Sequence, residues 1–372
     1  MTIDDEIKAI EDEISKTQYN KATQFHIGKL KAKIARLKEE QIKRAASSGG
    51  GGGGFDIKKS GNASVGIIGL PSVGKSTLLN RITGAEISAT ASYHFTTLTV
   101  VPGLLEHRGA KIQILDLPGI ISGAARGKGR GREVISVARS VDLILLVVDA
   151  AAPGTLDVVL RELYDAGIRL NQKPPNVAIA MGTRGGITVR STVKLTHVTE
   201  DYISDIAKEF KRTNCDIVVR HDVTAEEVVD VFAGNRVYNR AFVVINKMDL
   251  VTKAELARQI GELEARGFVT IPVSGSKNLN VDLMKDILYQ ELRFMRVYLK
   301  PQGGETDYKE PLVVKAGTNI GLVCDTLHRD MRARFRYALV WGKSAKFPGQ
   351  TVGIEHVLDD EDVLSLVLRR GG

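Results

Sequence analysis

Eight residues, Gly69-Leu70-Pro71-Ser72-Val73-Gly74-Lys75-Ser76, constrain this chain more than any other stretch. Their spacing is G-x-x-x-x-G-K-[ST]. Val65, Ile67 and Ile68 before them read as a buried strand, and Thr77-Leu78-Leu79-Asn80-Arg81-Ile82 after them can open a helix. A strand, a glycine loop and a helix N-terminus bring backbone N–H groups around one point, which suits a phosphate. Gly69 and Gly74 let the backbone turn so that these groups face inward. In such a loop Pro71, Ser72, Val73 and Thr77 supply backbone around the phosphates. Lys75 reaches the β- and γ-phosphates, and the Ser76 hydroxyl holds Mg²⁺. The competing reading is a chance glycine loop beside a lysine, and the motifs further along bear on it.

The chain has 372 residues, room for two or three domains with real cores. Hydrophobic residues at 43% and charged ones at 26% describe an ordinary soluble globular protein. No apolar run approaches the roughly 18 residues that a membrane span needs. The start, Met1-Thr2-Ile3-Asp4-Asp5-Glu6, is acidic and lacks a signal-peptide core, so no membrane partner is expected. Cys215 and Cys324 fit neither a disulfide framework nor a metal site, which points to a reducing cytoplasm. The net charge of +8 and pI of about 9.3 favour a polyanionic partner.

Residues 1–48 read as a helical segment. Ile7, Ile10 and Ile14 keep an a/d-like spacing, as do Ile27, Leu30, Ile34 and Leu37, and the register changes near Asn20. A helical hairpin is expected. Its first half is acidic and its second half basic, through Lys29, Lys31, Lys33, Arg36, Lys38, Lys43 and Arg44. Those lysines and arginines read either as a solvated face attracted to the acidic half or as a face for RNA or a partner protein. Residues 49–61, with Gly49 to Gly54, form a flexible linker.

A nucleotide domain starts near Asn62. Phe95-Thr96-Thr97-Leu98-Thr99 lies where a threonine can reach Mg²⁺ and the γ-phosphate and lose them after hydrolysis, although threonines also suit an edge strand. The alternating stretch Lys111–Leu115 runs into Asp116-Leu117-Pro118-Gly119. Asp116 would support Mg²⁺ through its water shell, and the Gly119 N–H would meet the γ-phosphate. The run Ser122–Arg132 is glycine-rich and basic, which suits a mobile switch or an exposed surface. Leu143–Val148 and Ala241–Ile245 are continuous apolar strands, as the centre of a parallel sheet requires. The second ends in Asn246-Lys247-Met248-Asp249. A carboxylate at Asp249 can accept two hydrogen bonds from the N1–H and N2–H₂ edge of guanine, an edge adenine does not offer. The backbone of Ser274 and Gly275 can bind the guanine carbonyl.

From Asp116 to Asn246 is 130 positions. Two βα units of roughly 30 residues each account for about half of that. Residues 173–238 are the expected insert, with strands near 176–180 and 216–220 and helices near 199–211 and 224–233. Residues 62–172 and 239–298 are then the two parts of the nucleotide domain, and 299–372 a C-terminal module. In that module Leu312–Lys315, Tyr337–Trp341 and Val363–Leu368 read as strands, and Thr318 caps a helix to about Phe335. It is rich in basic residues. Trp341 and Phe347 are candidates either for base stacking or, for Trp341, for the core.

In their order these motifs resemble the developmentally regulated GTP-binding proteins, the archaeal and eukaryotic branch of the Obg-related GTPases. Gly69–Ser76, Phe95–Thr99, Asp116–Ile120, Gly127–Arg132, Asn246–Asp249 and Tyr337–Gly342 carry the resemblance. It implies an α/β fold: a doubly wound, mostly parallel P-loop GTPase sheet with an inserted ribosomal-S5-domain-2-like α+β domain. An N-terminal helical hairpin and a C-terminal TGS domain of β-grasp shape complete it. It also implies GTP hydrolysed to GDP, Mg²⁺ as cofactor, a role around ribosomes and translation, and often a dedicated protein partner. The resemblance assigns the Mg²⁺ contact to Thr97 rather than Thr96.

Ile120 follows the D-x-x-G glycine where Ras-like enzymes place a water-orienting Gln. Slow intrinsic hydrolysis is therefore expected, with the water positioned by a switch backbone group, a bound K⁺ or a partner. Ser72 stands where some potassium-activated GTPases carry Asn. The function expected is a Mg²⁺-dependent GTPase that switches binding to ribosome- or RNA-containing partners. The rival is an RNA- or protein-binding scaffold in which the nucleotide is structural.

Overall fold

The computed structural model describes residues 3–18, 20, 23–48, 61–84, 101–117 and 131–369. The chain divides into two compact units, one of Met1–Gly54 with Gly167–Tyr238, the other of Phe55–Ala166 with Asn239–Gly372.

In the first unit the expected hairpin forms from helices Ile3–Lys16 and Gln24–Ser48. The turn is closed where the isoleucine register changes. Thr23 N–H donates to Asn20 Oδ1 at 2.9 Å, and Asn20 N–H donates to Thr23 Oγ1 at 3.0 Å. Ile7, Ile10 and Leu37 form the hairpin's small core, flanked by Ile3, Ile14, Leu30 and Ile34. The long helix also buries Ala32 and Ala35 in the core of the insert. Small residues allow this close approach: a Cβ on Gly28 would meet Tyr202 Oη at 2.0 Å. The insert is a three-stranded sheet in the order Val177–Met181, Cys215–Val219, Ile187–Ser191. Helices Glu200–Glu209 and Ala225–Ala233 pack on it, N-capped by Thr199 and Thr224, and Thr224 shares a capping box with Glu227. The short strand Ile187–Ser191 follows Gly185 and Gly186 and was not among the expected strands, although Ile187, Thr188 and Val189 are β-branched.

Four cations of the long helix are met inside this unit. Lys29 pairs with Asp205 at 2.7 Å, Lys31 with Glu226 at 2.5 Å, Arg36 with Glu209 at 3.2 Å and Lys33 with Glu6 at 3.2 Å. The sequence suggested that Lys29, Lys31, Lys33 and Arg36 either pair with the acidic half or offer a face to RNA. The structure spends them on acids, mostly those of the insert. The insert boundary drawn at 173 also moves. Arg169 is 3% exposed, and its guanidinium donates to both oxygens of Asp230 at 2.6 and 2.7 Å, so the compact unit takes in the chain from Gly167.

In the second unit the main sheet runs in the order Val269–Pro272, Val237–Asn246, Leu143–Asp149, Ala63–Ile68, Ala110–Asp116, Val101–His107. Neighbours are parallel except the last pair, which is an antiparallel hairpin. Ala63–Ile68 is buried at every position, as a central parallel strand is, and its one polar side chain, Ser64, donates from Oγ to Asp142 Oδ2 at 3.0 Å. The core gathers Val65, Ile67, Leu78, Leu79, Ile112, Leu145, Phe242 and Val244 between this sheet and its helices.

The C-terminal module is a five-stranded sheet in the order Leu312–Lys315, Phe294–Leu299, Asp362–Leu368, Phe335–Trp341, Gln350–Val352. The boundary drawn at 298/299 therefore falls inside a strand. Phe294–Leu299 pairs with Leu312–Lys315 and Asp362–Leu368, so it belongs to this sheet. The expected helix to Phe335 is also corrected. Asn319, not Thr318, is the cap, its Oδ1 accepting Leu322 N–H at 2.9 Å, and the helix ends at Leu327 where His328 turns extended. Met331–Arg334 is a separate turn. The module is fastened to the base of the main sheet. Asn62 Nδ2 donates to the Val313 carbonyl at 2.9 Å, and Lys315 Nζ donates to Asp142 Oδ1 at 2.6 Å.

Candidate nucleotide site

In a parallel sheet the strands deliver their C-terminal ends to one rim, and loops at that rim carry the site. Here four strand ends converge there. Ala63–Ile68 runs into the glycine loop, Ala110–Asp116 ends on Asp116, Leu143–Asp149 ends on Asp149, and Val237–Asn246 ends on Asn246.

The loop's geometry depends on its glycines. Gly69 passes so close to the neighbouring strand that a Cβ would meet the Val147 carbonyl oxygen at 2.3 Å. Gly74 has φ +90°, and its Cβ would meet Asn246 Nδ2 at 2.5 Å. The helix Lys75–Thr83 begins directly after it, presenting its free N–H groups to the loop. Lys75 is buried, and its Nζ donates to the carbonyls of Gly69 and Leu70, each at 3.0 Å. Burial pulls its ammonium below the ordinary lysine range, and the charge of Asp116 opposes that shift. Ser76 Oγ donates to Asp116 Oδ2 at 2.7 Å. The other oxygen, Asp116 Oδ1, is buried with no hydrogen-bond partner among the described residues. A hydroxyl beside a carboxylate with a free buried oxygen is an all-oxygen donor set of the kind that a hard cation such as Mg²⁺ takes. Pro71, Ser72 and Thr77 are exposed at this rim and Val73 is buried beneath it.

The second half of the site is braced against the first. Asn246 Nδ2 donates to the Val73 carbonyl at 2.8 Å, and Asn246 Oδ1 accepts Gly275 N–H at 3.1 Å. Asn246 is thus a strut between the phosphate loop and the Ser274–Gly275 turn. Arg81 closes the same circuit from the helix, its Nε donating to the Gly275 carbonyl at 3.1 Å. Lys247 has φ 62°, and its Nζ reaches the Ser72 carbonyl at 2.9 Å and Asp149 Oδ2 at 2.6 Å. Asp249 Oδ2 pairs with Lys277 at 3.0 Å, while Asp249 Oδ1 is buried with no hydrogen-bond partner among the described residues. The Ser274 hydroxyl and the Lys277 ammonium hold its carboxyl below the usual carboxylate range. An ionised carboxylate with a free oxygen at a pocket edge is an acceptor suited to the donor edge of guanine.

The structure therefore brings together Gly69, Pro71, Ser72, Val73, Gly74, Lys75, Ser76, Thr77, Asp116, Asn246, Lys247, Asp249, Ser274 and Gly275. Phe95, Thr96, Thr97, Gly119 and Ile120, and the basic run Arg126–Arg130, lie outside the described residues. Sequence reasoning missed Asp149 and Arg81. Asp149 had a usable signal: it is a carboxylate closing a buried central strand, beside Asn246 in the sheet register. Away from this rim, Trp341 is half-buried, with Lys300 Nζ 4.9 Å above its ring, and Phe347 on the following loop is 60% exposed.

The family described as a 50S ribosome-binding GTPase matches residues 64–181, the C-terminal region of that domain matches 184–294, and a TGS domain matches 295–368. The chain is 53% identical to an uncharacterized GTP-binding protein of Methanocaldococcus jannaschii, over all of this chain and 94% of that one. It is 46% identical to developmentally-regulated G-protein 3 of Arabidopsis thaliana, covering 98% of this chain and 99% of that one. To a developmentally-regulated GTP-binding protein 2 homolog of Dictyostelium discoideum it is 44% identical, covering 99% and 100%.

Proposed function

The chain belongs to the developmentally regulated GTP-binding proteins, a GTPase family, and from that membership we propose a Mg²⁺-dependent switch whose bound nucleotide sets its affinity for an RNA-containing partner in translation. The observation that carries the nucleotide half is a pair of buried carboxylate oxygens with no hydrogen-bond partner among the described residues, Asp116 Oδ1 and Asp249 Oδ1, at opposite ends of one braced rim. Such oxygens are costly to leave unmet, and a ligand with a cation at one end and a donor edge at the other satisfies both.

In this reading Lys75 turns from its own loop carbonyls to the phosphates. Ser76 and Asp116 hold Mg²⁺, with Thr97 as a further ligand. The ion supplies charge neutralisation for the phosphate oxygens. Gly119 N–H meets the γ-phosphate, and Asn246, Lys247, Asp249, Ser274 and Gly275 enclose the base. Ile120 offers no side chain to orient water, so hydrolysis by the chain alone is slow. A switch backbone group, K⁺ beside Ser72, or a partner positions the water. Equal turnover in sodium and potassium buffers removes the K⁺ reading.

The partner half rests on charge that the fold leaves unspent. Lys300 and Lys346 make no ion pair among the described residues, and they accompany the exposed Phe347 and the half-buried Trp341. Cations beside aromatic rings suit a single-stranded polyanion with stacked bases. The long helix of the hairpin supports that role less, because Lys29, Lys31, Lys33 and Arg36 are paired. No helix among the described residues is long and apolar enough to cross a membrane. The proposed role with ribosomes itself puts the protein in the cytoplasm.

Co-sedimentation with ribosomes at near-physiological salt tests the switch. Stronger pelleting with a GTP analogue than with GDP supports it. Equal pelleting in GTP-analogue, GDP and nucleotide-free states leaves a GTPase whose nucleotide is structural to a scaffold.

A further inference from the structure

We propose that Asp149 is a positioning residue for this nucleotide site: by holding the Lys247 ammonium against the Ser72 carbonyl, it keeps the phosphate loop in its turn and slows the release of guanine nucleotide. The inference rests on the reading of the loop and of Lys247 as nucleotide contacts.

Asp149 closes the central strand Leu143–Asp149 and lies beside Asn246 in the register. Its carboxylate is fixed from two sides. Oδ1 accepts Ala151 N–H at 2.9 Å, and Oδ2 accepts Lys247 Nζ at 2.6 Å. The same ammonium donates to the Ser72 carbonyl at 2.9 Å. Ser72 has φ 65° and Lys247 has φ 62°, both in the left-handed region that residues with a Cβ avoid. Such backbone persists only where surrounding contacts over-determine it. The Ser72 side chain is exposed and has no hydrogen bond among the described residues, so its turn is held from its own carbonyl, through Lys247, by Asp149. One residue on, Asn246 holds the Val73 carbonyl in the same way.

Without the Asp149 charge, the Lys247 side chain, 33% exposed, has water as a competing partner. The Ser72 carbonyl then loses its donor and the loop relaxes toward ordinary backbone. Asp149 meets no nucleotide atom in this scheme; it acts through Lys247.

The test is the release rate of a fluorescent GDP from the full-length protein in excess unlabelled GDP. Asp149→Asn keeps the side chain's shape but removes its charge, and release is expected to quicken by about tenfold or more, the scale of one lost charge-assisted hydrogen bond. The preference for GDP over XDP is expected to stay, because Asp249 is untouched. Asp149→Glu, which keeps the charge on a longer arm, is expected to recover much of the slow release. Glycine takes the left-handed turn without strain, so Asp149→Asn added to Ser72→Gly is expected to change release far less than in the wild-type background. A wild-type rate in Asp149→Asn, a glutamate variant as fast as the asparagine one, or independent effects in the double variant would each overturn the proposal. A wild-type protein that binds no GDP would instead overturn the nucleotide site itself.

Discussion

Ser76 Oγ and Asp116 Oδ2 stand 2.7 Å apart, one at the start of a helix and the other at the end of a strand, while Asp116 Oδ1 points into the same site with no partner among the described residues. The hydroxyl and the carboxylate are held together by the sheet and not by any local turn. Asp116→Asn keeps the shape and removes the charge. It is expected to weaken Mg²⁺ affinity of the GTP complex by about 10–100-fold, as loss of an outer-shell carboxylate does elsewhere. Titrating Mg²⁺ against the release of fluorescent GTP reads this out. Unchanged Mg²⁺ dependence would remove Asp116 from the metal site.

Asp249 offers one oxygen to Lys277, and the other has no partner among the described residues. Asp249→Asn turns an acceptor into a donor at that edge. Guanine then faces N–H against N–H, whereas xanthine, with a carbonyl at C2, is accommodated. GTP binding is expected to fall relative to XTP by about 10⁴-fold, on the scale of a site built around a buried hydrogen bond. Retained guanine preference would show that the base is read elsewhere.

Gly28 sits where the long helix of the hairpin crosses Tyr202, whose ring packs on Phe25 at 5.0 Å between centroids. Gly28→Ala raises helix propensity, yet its methyl group occupies space that the tyrosine fills. Overpacking is expected to win, lowering stability by about 1–3 kcal/mol. Urea unfolding of Gly28→Ala decides the sign; a gain in stability would mean that Tyr202 can swing away freely.

Asp149 also makes a prediction about pH. Burial pushes its carboxyl up, but the Lys247 hydrogen bond and charge and the Ala151 N–H outweigh this and hold it below its ordinary 3.8. A carboxyl lowered on folding adds stability above its ordinary value and loses it as the pH falls through the lowered one. The difference in melting temperature between wild type and Asp149→Asn is therefore expected to be level from neutral pH down to about pH 5, and to shrink below about pH 4. A difference that shrinks near pH 6 would point to a histidine instead.

The unspent lysines give a contrast within one assay. Lys346→Glu with Phe347→Ala is expected to weaken ribosome co-sedimentation and flatten its salt dependence by about one phosphate contact. Lys29→Glu, which breaks a pair with Asp205 inside its own unit, is expected to leave pelleting unchanged. The reverse pattern would move the contact to the hairpin.

The sequence by itself determined most of the residues that the structure gathers at the rim, Asp149 and Arg81 apart, and most of the elements that carry them. A phosphate loop, a carboxylate after an alternating strand and an N-K-x-D after an apolar one are local patterns, and each is dictated by backbone geometry over a few residues. The same holds for the hairpin, where isoleucine spacing shows both helices and the break near Asn20. Tertiary structure decided which charges are free. Lys29 and Lys346 read alike as exposed lysines, yet Asp205, 176 positions away, meets the first and no acid among the described residues meets the second. It decided that Phe294–Leu299 joins the C-terminal sheet, since strand pairing depends on partners 65 positions downstream, and that Asp149 reaches Lys247 across 98 positions. Hydrogen-bond and ion partners brought together by a sheet carry no mark in the local sequence, because their distance is set by the packing of everything between them.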